Sequence, residues 1–523
     1  LEAALERYQQ AVALTPADSP DRPMYLNAWG NVLFRRFERL GHFADLEAAL
    51  ELFQQAVALT PENSPDRPKY LNNWGIALRQ RFERLGNLAD LEAALKRYQQ
   101  AVALTPADSP DRPKYLNNWG VALLELFEHL GSLADLDAAL ERHQQAVALT
   151  PADSPDLPMY LNAWGNALLD RFGRLGSLAD LEAALERYQQ AVALTPADSP
   201  DRPAYLSNWG DALRQRFERL GSLADLEAAL EHFQQAVELT PAGSPDRPAY
   251  LSNWGIALRQ RFERLGSLAD LEAALERYQQ AVELTPAGSP DRPMYLNNWG
   301  IALLERFKRL GSLADLEAAL ERFQQAVALI PAGSPDRPAY LSNWGNGLLD
   351  RFERIGHLAD LEAALECYQQ TMSFTPENSP VRPMYLSNWG NALLDRFERL
   401  GSLADLEAAL EHYQQAVELT PENSPNRIIL LNNLGNTYYR AQEYPQARQA
   451  YAEMASAFEE LRAASTLKAD RQKMLEDYAT AFSRLVTCCL LAGDFKAAFR
   501  YAEAGKSRAL VEALQTEKVD LSA

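Results

Sequence analysis

Nine tryptophans recur in this chain at strict intervals of 45 residues, from Trp29, Trp74 and Trp119 through Trp389, and the chain has no others. A single globular core needs no such ruler, whereas a stack of near-identical units does. Self-similarity at a period of 20–50 residues is the mark of a solenoid or a propeller. Solenoid repeats bury their apolar faces against their neighbours and leave long surfaces free for binding. The expectation is therefore a binding protein.

The stretch from Ser64 to Leu104 shows how one unit works. Ser64-Pro65 reads as an N-cap followed by a first helical position, where proline loses no hydrogen bond, and Pro68 still fits the first turn. Tyr70, Leu71, Trp74, Leu78, Phe82 and Leu85 then recur at helical spacing. Gly86 stands where a helix C-cap needs φ > 0. Asp90 is placed to cap a second helix carrying Leu91, Ala94, Leu95, Tyr98, Ala101, Val102 and Leu104, and Thr105-Pro106 stops it. Ala94 and Ala101 are small where two helices must approach, and Tyr98 fills the space between them. Each repeat reads as a helical hairpin.

This pattern resembles the tetratricopeptide repeat. Ala94, Tyr98, Ala101 and Pro106 match that family's second helix and exit, and Trp74-Gly75 with Leu78 stands where the family has Leu-Gly. The usual unit has about 34 residues. Here the first helix is one turn longer, the inter-helix loop gains three residues and the exit loop four. The resemblance implies an all-α solenoid of 45-residue hairpins wound as a right-handed superhelix. Hairpins of this type fill residues 1–426. An ordinary-length unit occupies 427–462, with Leu434-Gly435, Tyr438, Ala447 and Tyr451, and a helical segment covers 463–523.

The formal charge is −20, from 51 basic and 71 acidic residues. From Arg427 onward there are 13 basic and 12 acidic residues, so the part before it carries 38 and 59, or −21. Such an array repels phosphate backbones, and no direct nucleic-acid partner is expected. No apolar run approaches the ~18 residues of a membrane span. Cys367, Cys488 and Cys489 have neither disulfide nor metal spacing, which points to packing roles and a cytoplasmic setting. The chain opens on Leu1 in mid-repeat, so it reads as part of something larger.

Variation between the repeats concentrates on one arc of the first helix, opposite the Trp/Leu/Phe face. In tetratricopeptide arrays that arc lines the concave groove. It carries Lys69, Arg79, Lys114, Arg214 and Arg259 early in the chain, beside Asp170 and Asp211. Later it carries Leu304, Leu349 and Leu394, each followed by an acid. A ladder of asparagines runs along it: Asn73, Asn118, Asn208, Asn253, Asn298, Asn343, Asn388 and Asn433, interrupted at Ala28 and Ala163. An amide both donates and accepts, so the ladder could hold the main chain of an extended peptide. A second column of Asn27, Asn72, Asn117, Asn162, Ser207, Ser252, Asn297, Ser342 and Ser387 lies beside it. Bonding of these side chains between adjacent hairpins is the competing reading, as is drift on an unconstrained face. A protein or extended peptide ligand is expected, acidic at one end and apolar-basic at the other.

Tyr501–Leu514 resembles the alanine/arginine-rich helix that precedes the protease in CHAT proteins, caspase-like peptidases found with tetratricopeptide repeats. The Leu-Thr-Pro exits and Ser-Pro-Asp-Arg loops also look like theirs. This resemblance implies a regulatory arm controlling a peptidase in cis, beyond Ala523. The alternatives are a stand-alone scaffold without an enzyme and the sensor end of a signalling NTPase lying before Leu1. No catalytic, cofactor or metal site is expected within the chain. His42 and His357 fall in inter-helix turns, His143 replaces a tyrosine, and His129, His232 and His412 replace arginines. Gly505-Lys506-Ser507 lacks the glycine a phosphate loop needs, since Arg500 stands there. The spacing of Ser465 and Lys468 has no supporting context.

Overall fold

The computed structural model describes residues 1–422, 424, 426–464 and 468–502, without the side chains of 460–464, 468–477 and 479. The described residues form helices joined by short turns, in two units, Leu1–Ser267 and Leu268–Ala523. The first unit opens with the helix Glu2–Leu14, continues through five hairpins between Arg22 and Leu239, and ends on Arg247–Leu265. The second opens with Leu268–Leu284, continues through four hairpins from Arg292 to Ala464, and adds Lys468–Leu491. Within each unit the two helices of a hairpin pack together, and the second helix of one hairpin packs on the first helix of the next. This is the expected all-α, tetratricopeptide-like array.

One hairpin shows why the sequence folds this way. Its first helix is Arg67–Leu85 and its second Leu88–Leu104. Gly86 ends the first at φ +67°, a region open to glycine without steric cost. Gly75, of the Trp-Gly pair, lies against the ring of Tyr98, where a Cβ would come within 2.7 Å of a ring carbon. The missing side chain is what lets the two helices close over a fully buried aromatic. Phe53, His143, Tyr188 and Phe233 repeat the contact with Gly30, Gly120, Gly165 and Gly210.

Two end assignments differ from expectation. The first helix starts at Arg67, after Asp66, instead of at Ser64-Pro65. The Ser64 Oγ and carbonyl accept the N–H groups of Asp66 and Arg67, at 3.3 and 3.2 Å, so Ser64-Pro65 forms a turn that leads into the helix. Pro68 does fall in the first turn. Asp90 does not cap the second helix. Asn87 does, in extended geometry, its side chain accepting from Ala89 N–H at 3.3 Å. Asp90 lies one turn inside, buried, and accepts two bonds from the Arg81 guanidinium at 3.0 and 2.5 Å. The same pair recurs at Arg36/Asp45, Arg171/Asp180, Arg216/Asp225, Arg306/Asp315 and Arg396/Asp405.

The Ser-Pro-Asp-Arg joint has a role that the sequence did not disclose. Arg112 donates to the carbonyls of Val102 and Thr105, at 2.8 and 2.6 Å. These belong to the end of the preceding helix, whose last carbonyls have no partner within the helix. Arg22, Arg202, Arg292 and Arg427 do the same at their own joints. Cys367, Cys488 and Cys489 are buried as small apolar groups. No described helix is long and apolar enough to cross a membrane.

Candidate ligand-binding face

The asparagine ladder is present, and its amides are used between hairpins. In the first unit Asn73, Asn118 and Asn208 donate from Nδ2 to the Oδ1 of Asn27, Asn72 and Asn162, at 3.0, 2.9 and 3.0 Å. Asn253 donates to Ser207 Oγ at 3.2 Å. In the second unit Asn343 donates to Asn297 at 3.0 Å, Asn388 to Ser342 at 3.3 Å and Asn433 to Ser387 at 3.5 Å. Asn298 is partnered as well. The two columns are thus one inter-repeat ladder, each donor partly exposed and its acceptor mostly buried. Where Ala163 interrupts it, Asn117 Oδ1 is met by His143 Nδ1 at 3.0 Å.

Part of the variation along the arc also has an internal cause. Asn166, Asn346 and Asn391 accept the hydroxyls of Tyr188, Tyr368 and Tyr413, at 2.8, 2.7 and 2.6 Å. Asn436 and Tyr451 make the same pair at 2.7 Å. Such an asparagine satisfies a hydroxyl that would otherwise be buried unbonded.

The candidate cations and leucines are placed as follows. Arg79 is held by Glu83 and Glu125, Arg214 by Asp211 and Glu218, and Arg259 by Glu263. Lys69 and Lys114 stand exposed, without an ion pair among the described residues. Leu304 and Leu394 are only 8% exposed, because they pack into the hairpin core, and Leu349 is half-buried. The expected apolar end is therefore mostly filled by the protein itself, and three of the five expected cations are neutralised locally.

Beside these two lysines, the face offers acceptor chemistry. Asp170 is pushed up to about 6 by burial and by Glu128. Asp395 is pushed up to about 6 by burial and then by Glu353 and Glu398, with Arg440 opposing. Burial also raises Asp350, against the Lys308 ammonium 3.0 Å away. A half-buried carboxylate beside another carboxylate gains most from a cationic donor.

The tryptophans carry a further feature. The guanidinium of Arg97 lies 4.0 Å from the ring centre of Trp74, and Arg142, Arg187 and Arg322 cover Trp119, Trp164 and Trp299 at 4.4–4.5 Å. His232 stacks on Trp209 at 4.0 Å. The arginine 23 residues after Trp74, Trp119, Trp164, Trp254 and Trp299 was the signal for this cation–π column.

Residues 429–461 match the tetratricopeptide repeat family. No curated relative matches the chain. Among solved structures, a monomeric mutant of IFIT1 with Gppp-AAAA is similar at 14% identity, over 97% of this chain and 94% of that one, with a TM-score of 0.48. The human IFIT1 dimer with PPP-AAAA matches at 15% identity over the same shares, with a TM-score of 0.46. PilF of Pseudomonas aeruginosa matches 52% of this chain and 97% of its own at 16% identity, with a TM-score of 0.35. Ser465, Gly505-Lys506-Ser507 and the rest of the CHAT-like helix after Ala502 lie outside the described residues.

Proposed function

We propose that this chain is a protein-recognition scaffold whose first-helix face binds an extended segment rich in lysine or arginine. The carrying observation is, in each unit, a half-buried carboxylate with raised proton affinity, Asp170 in the first and Asp395 in the second, beside a ladder of partly exposed amides. Lysine and arginine heads would neutralise the carboxylates, and main-chain N–H groups would meet the amide oxygens. The ladder residues thus act first as inter-hairpin bonds and second as ligand contacts. Lys69 and Lys114 would accept an acidic residue at the segment's edge.

Binding of a fluorescent lysine-rich peptide to the full chain tests this by anisotropy. Asp170→Asn with Asp395→Asn is expected to weaken binding at least ~10-fold, the effect of one or two desolvated charge pairs. Asp18→Asn with Asp108→Asn removes the same charge from exposed loops and is expected to change little. Equal losses in the two variants would reduce the binding to bulk charge and sink the assignment.

The resemblance of the C-terminal helix and of the joints supports a second step. Occupancy of this face would control a CHAT-type caspase-like peptidase joined in cis. The source gene past codon 523 tests it. An α/β region with a spaced histidine and cysteine supports the regulatory arm, and an early stop codon leaves a stand-alone scaffold.

A further inference from the structure

Every first helix of the 45-residue hairpins ends in an apolar residue that the hairpin does not bury. In the first unit these are Leu40, Leu85, Leu130, Leu175, Leu220 and Leu265, exposed by 52–58%. Across each turn the second helix begins with another apolar residue, and Phe43, Leu133 and Leu178 are exposed by 37–40%. Because successive hairpins of the unit pack through the same faces, these residues fall along one edge. Scattered exposed leucines need no explanation, but an exposed apolar residue recurring at the same end of each hairpin of the unit forms a periodic contact surface.

We propose that this leucine edge is an interface between two copies of the chain. Two observations select a second copy as the occupant. The first is area. Half-exposed leucines at every turn, with their partners across it, offer roughly 1,000 Å² in the first unit alone, against the ~800 Å² per partner of a stable interface. The second is charge. An exposed Glu-Arg pair precedes the leucine in Glu38-Arg39, Glu83-Arg84, Glu218-Arg219 and Glu263-Arg264. A partner of one sign would meet like charge at half of these positions. A second copy related by a two-fold axis carries both signs at the same period, so glutamates face arginines and leucines face leucines. Glu83, Glu218 and Glu263 of this edge also pair with Arg79, Arg214 and Arg259 of the first-helix face, so the two surfaces adjoin, and the test therefore changes the leucines.

Light scattering of the purified full chain between ~1 and ~100 µM reads the outcome. A mass twice 58.4 kDa is expected for the parent. The variant Leu85→Glu/Leu130→Glu/Leu175→Glu is expected to stay monomeric over that range. Its helical circular dichroism should be unchanged, and its melting temperature should match that of the parent at a dilution where the parent is monomeric, since these side chains contribute little to the hairpin core. The pair Arg84→Glu/Arg219→Glu should shift dimerisation to at least ~10-fold higher concentration. A monomeric parent at ~100 µM, or a dimer that persists in the triple variant, overturns the proposal.

Discussion

His143 is the one histidine in a position that the other repeats give to tyrosine or phenylalanine. It is fully buried, with Nδ1 donating to Asn117 Oδ1 at 3.0 Å and Nε2 unbonded. Burial pushes its pKa down to about 4. The unfolded chain binds the proton near 6.5, so stability is complete above that pH and falls as pH drops from 6.5 toward 4. Between pH 7.5 and 4.5 the loss works out at roughly 2.5 kcal/mol. The perturbation is His143→Phe together with Ala163→Asn, which gives Asn117 back the ladder donor found in other repeats. Urea unfolding of the parent and the double variant at both pH values, with m-values held equal, measures the difference. Carboxylates elsewhere titrate alike in the two proteins and cancel. The parent should lose about 2 kcal/mol more than the variant. Equal acid losses, or a His143 ring resonance titrating near 6.5, would refute the reasoning.

Two further outcomes follow from the same geometry. Leu126 stands where other repeats place the arginine that grips the aspartate of the second helix, and Asp135 is half-buried without a cation among the described residues. Leu126→Arg should raise thermal stability by up to about 1 kcal/mol, whereas Arg81→Leu, which strands the buried Asp90, should cost about 3 kcal/mol; similar small effects from both would mean that the pairs are dispensable. Asp170, raised to about 6 from an unfolded value near 4, disfavours the fold increasingly as pH climbs from 4 through 6. Asp170→Asn should therefore add about 1–2 kcal/mol at pH 7 and little at pH 4, and a gain of equal size at both would exclude the charge as its cause.

The hairpin was legible because its determinants are local. Trp74-Gly75, Gly86 and Thr105-Pro106 each act within a few residues, and the helix ends at Leu85 and Leu104 fall where they indicate. The joints and the face were less legible because their partners lie a repeat away. Asn73 bonds to Asn27, 46 residues back, one more than the period. Aligned by repeat, the donors fall in one column and the acceptors in the next, and only the register between stacked helices joins them. Arg79 is similar: its charge was readable, but its pairing with Glu125 in the next hairpin was not. Residues that looked poised for a ligand were in this way partly committed to neighbours. The carboxylates stood out only once their burial was known.

The departures from the repeat converge on one place. The hairpin between Arg112 and Leu149 has Leu126 for the arginine of the Arg-Asp pair and His143 for the buried aromatic. The hairpin after it begins with Leu157, 8% exposed, where other joints have the arginine that binds two carbonyls, and Ala163 replaces its ladder asparagine. Apolar contacts persist there, since Leu157 packs with Leu161, Val192 and Tyr205. The joint arginine and the ladder asparagine that recur at other junctions are replaced here, which leaves Arg171 reaching Asp137 of the preceding hairpin at 3.4 Å, while His143 satisfies Asn117 within its own hairpin. Stability in a repeat array is close to a sum of unit and nearest-neighbour terms, so the least cross-linked junction is where cooperativity first divides. Protonating His143 places a charge on its buried, unbonded Nε2 in the hairpin that borders this junction. A single buried imidazole can therefore register in the unfolding of the first unit, where the same change in a fully linked hairpin would be absorbed by its neighbours.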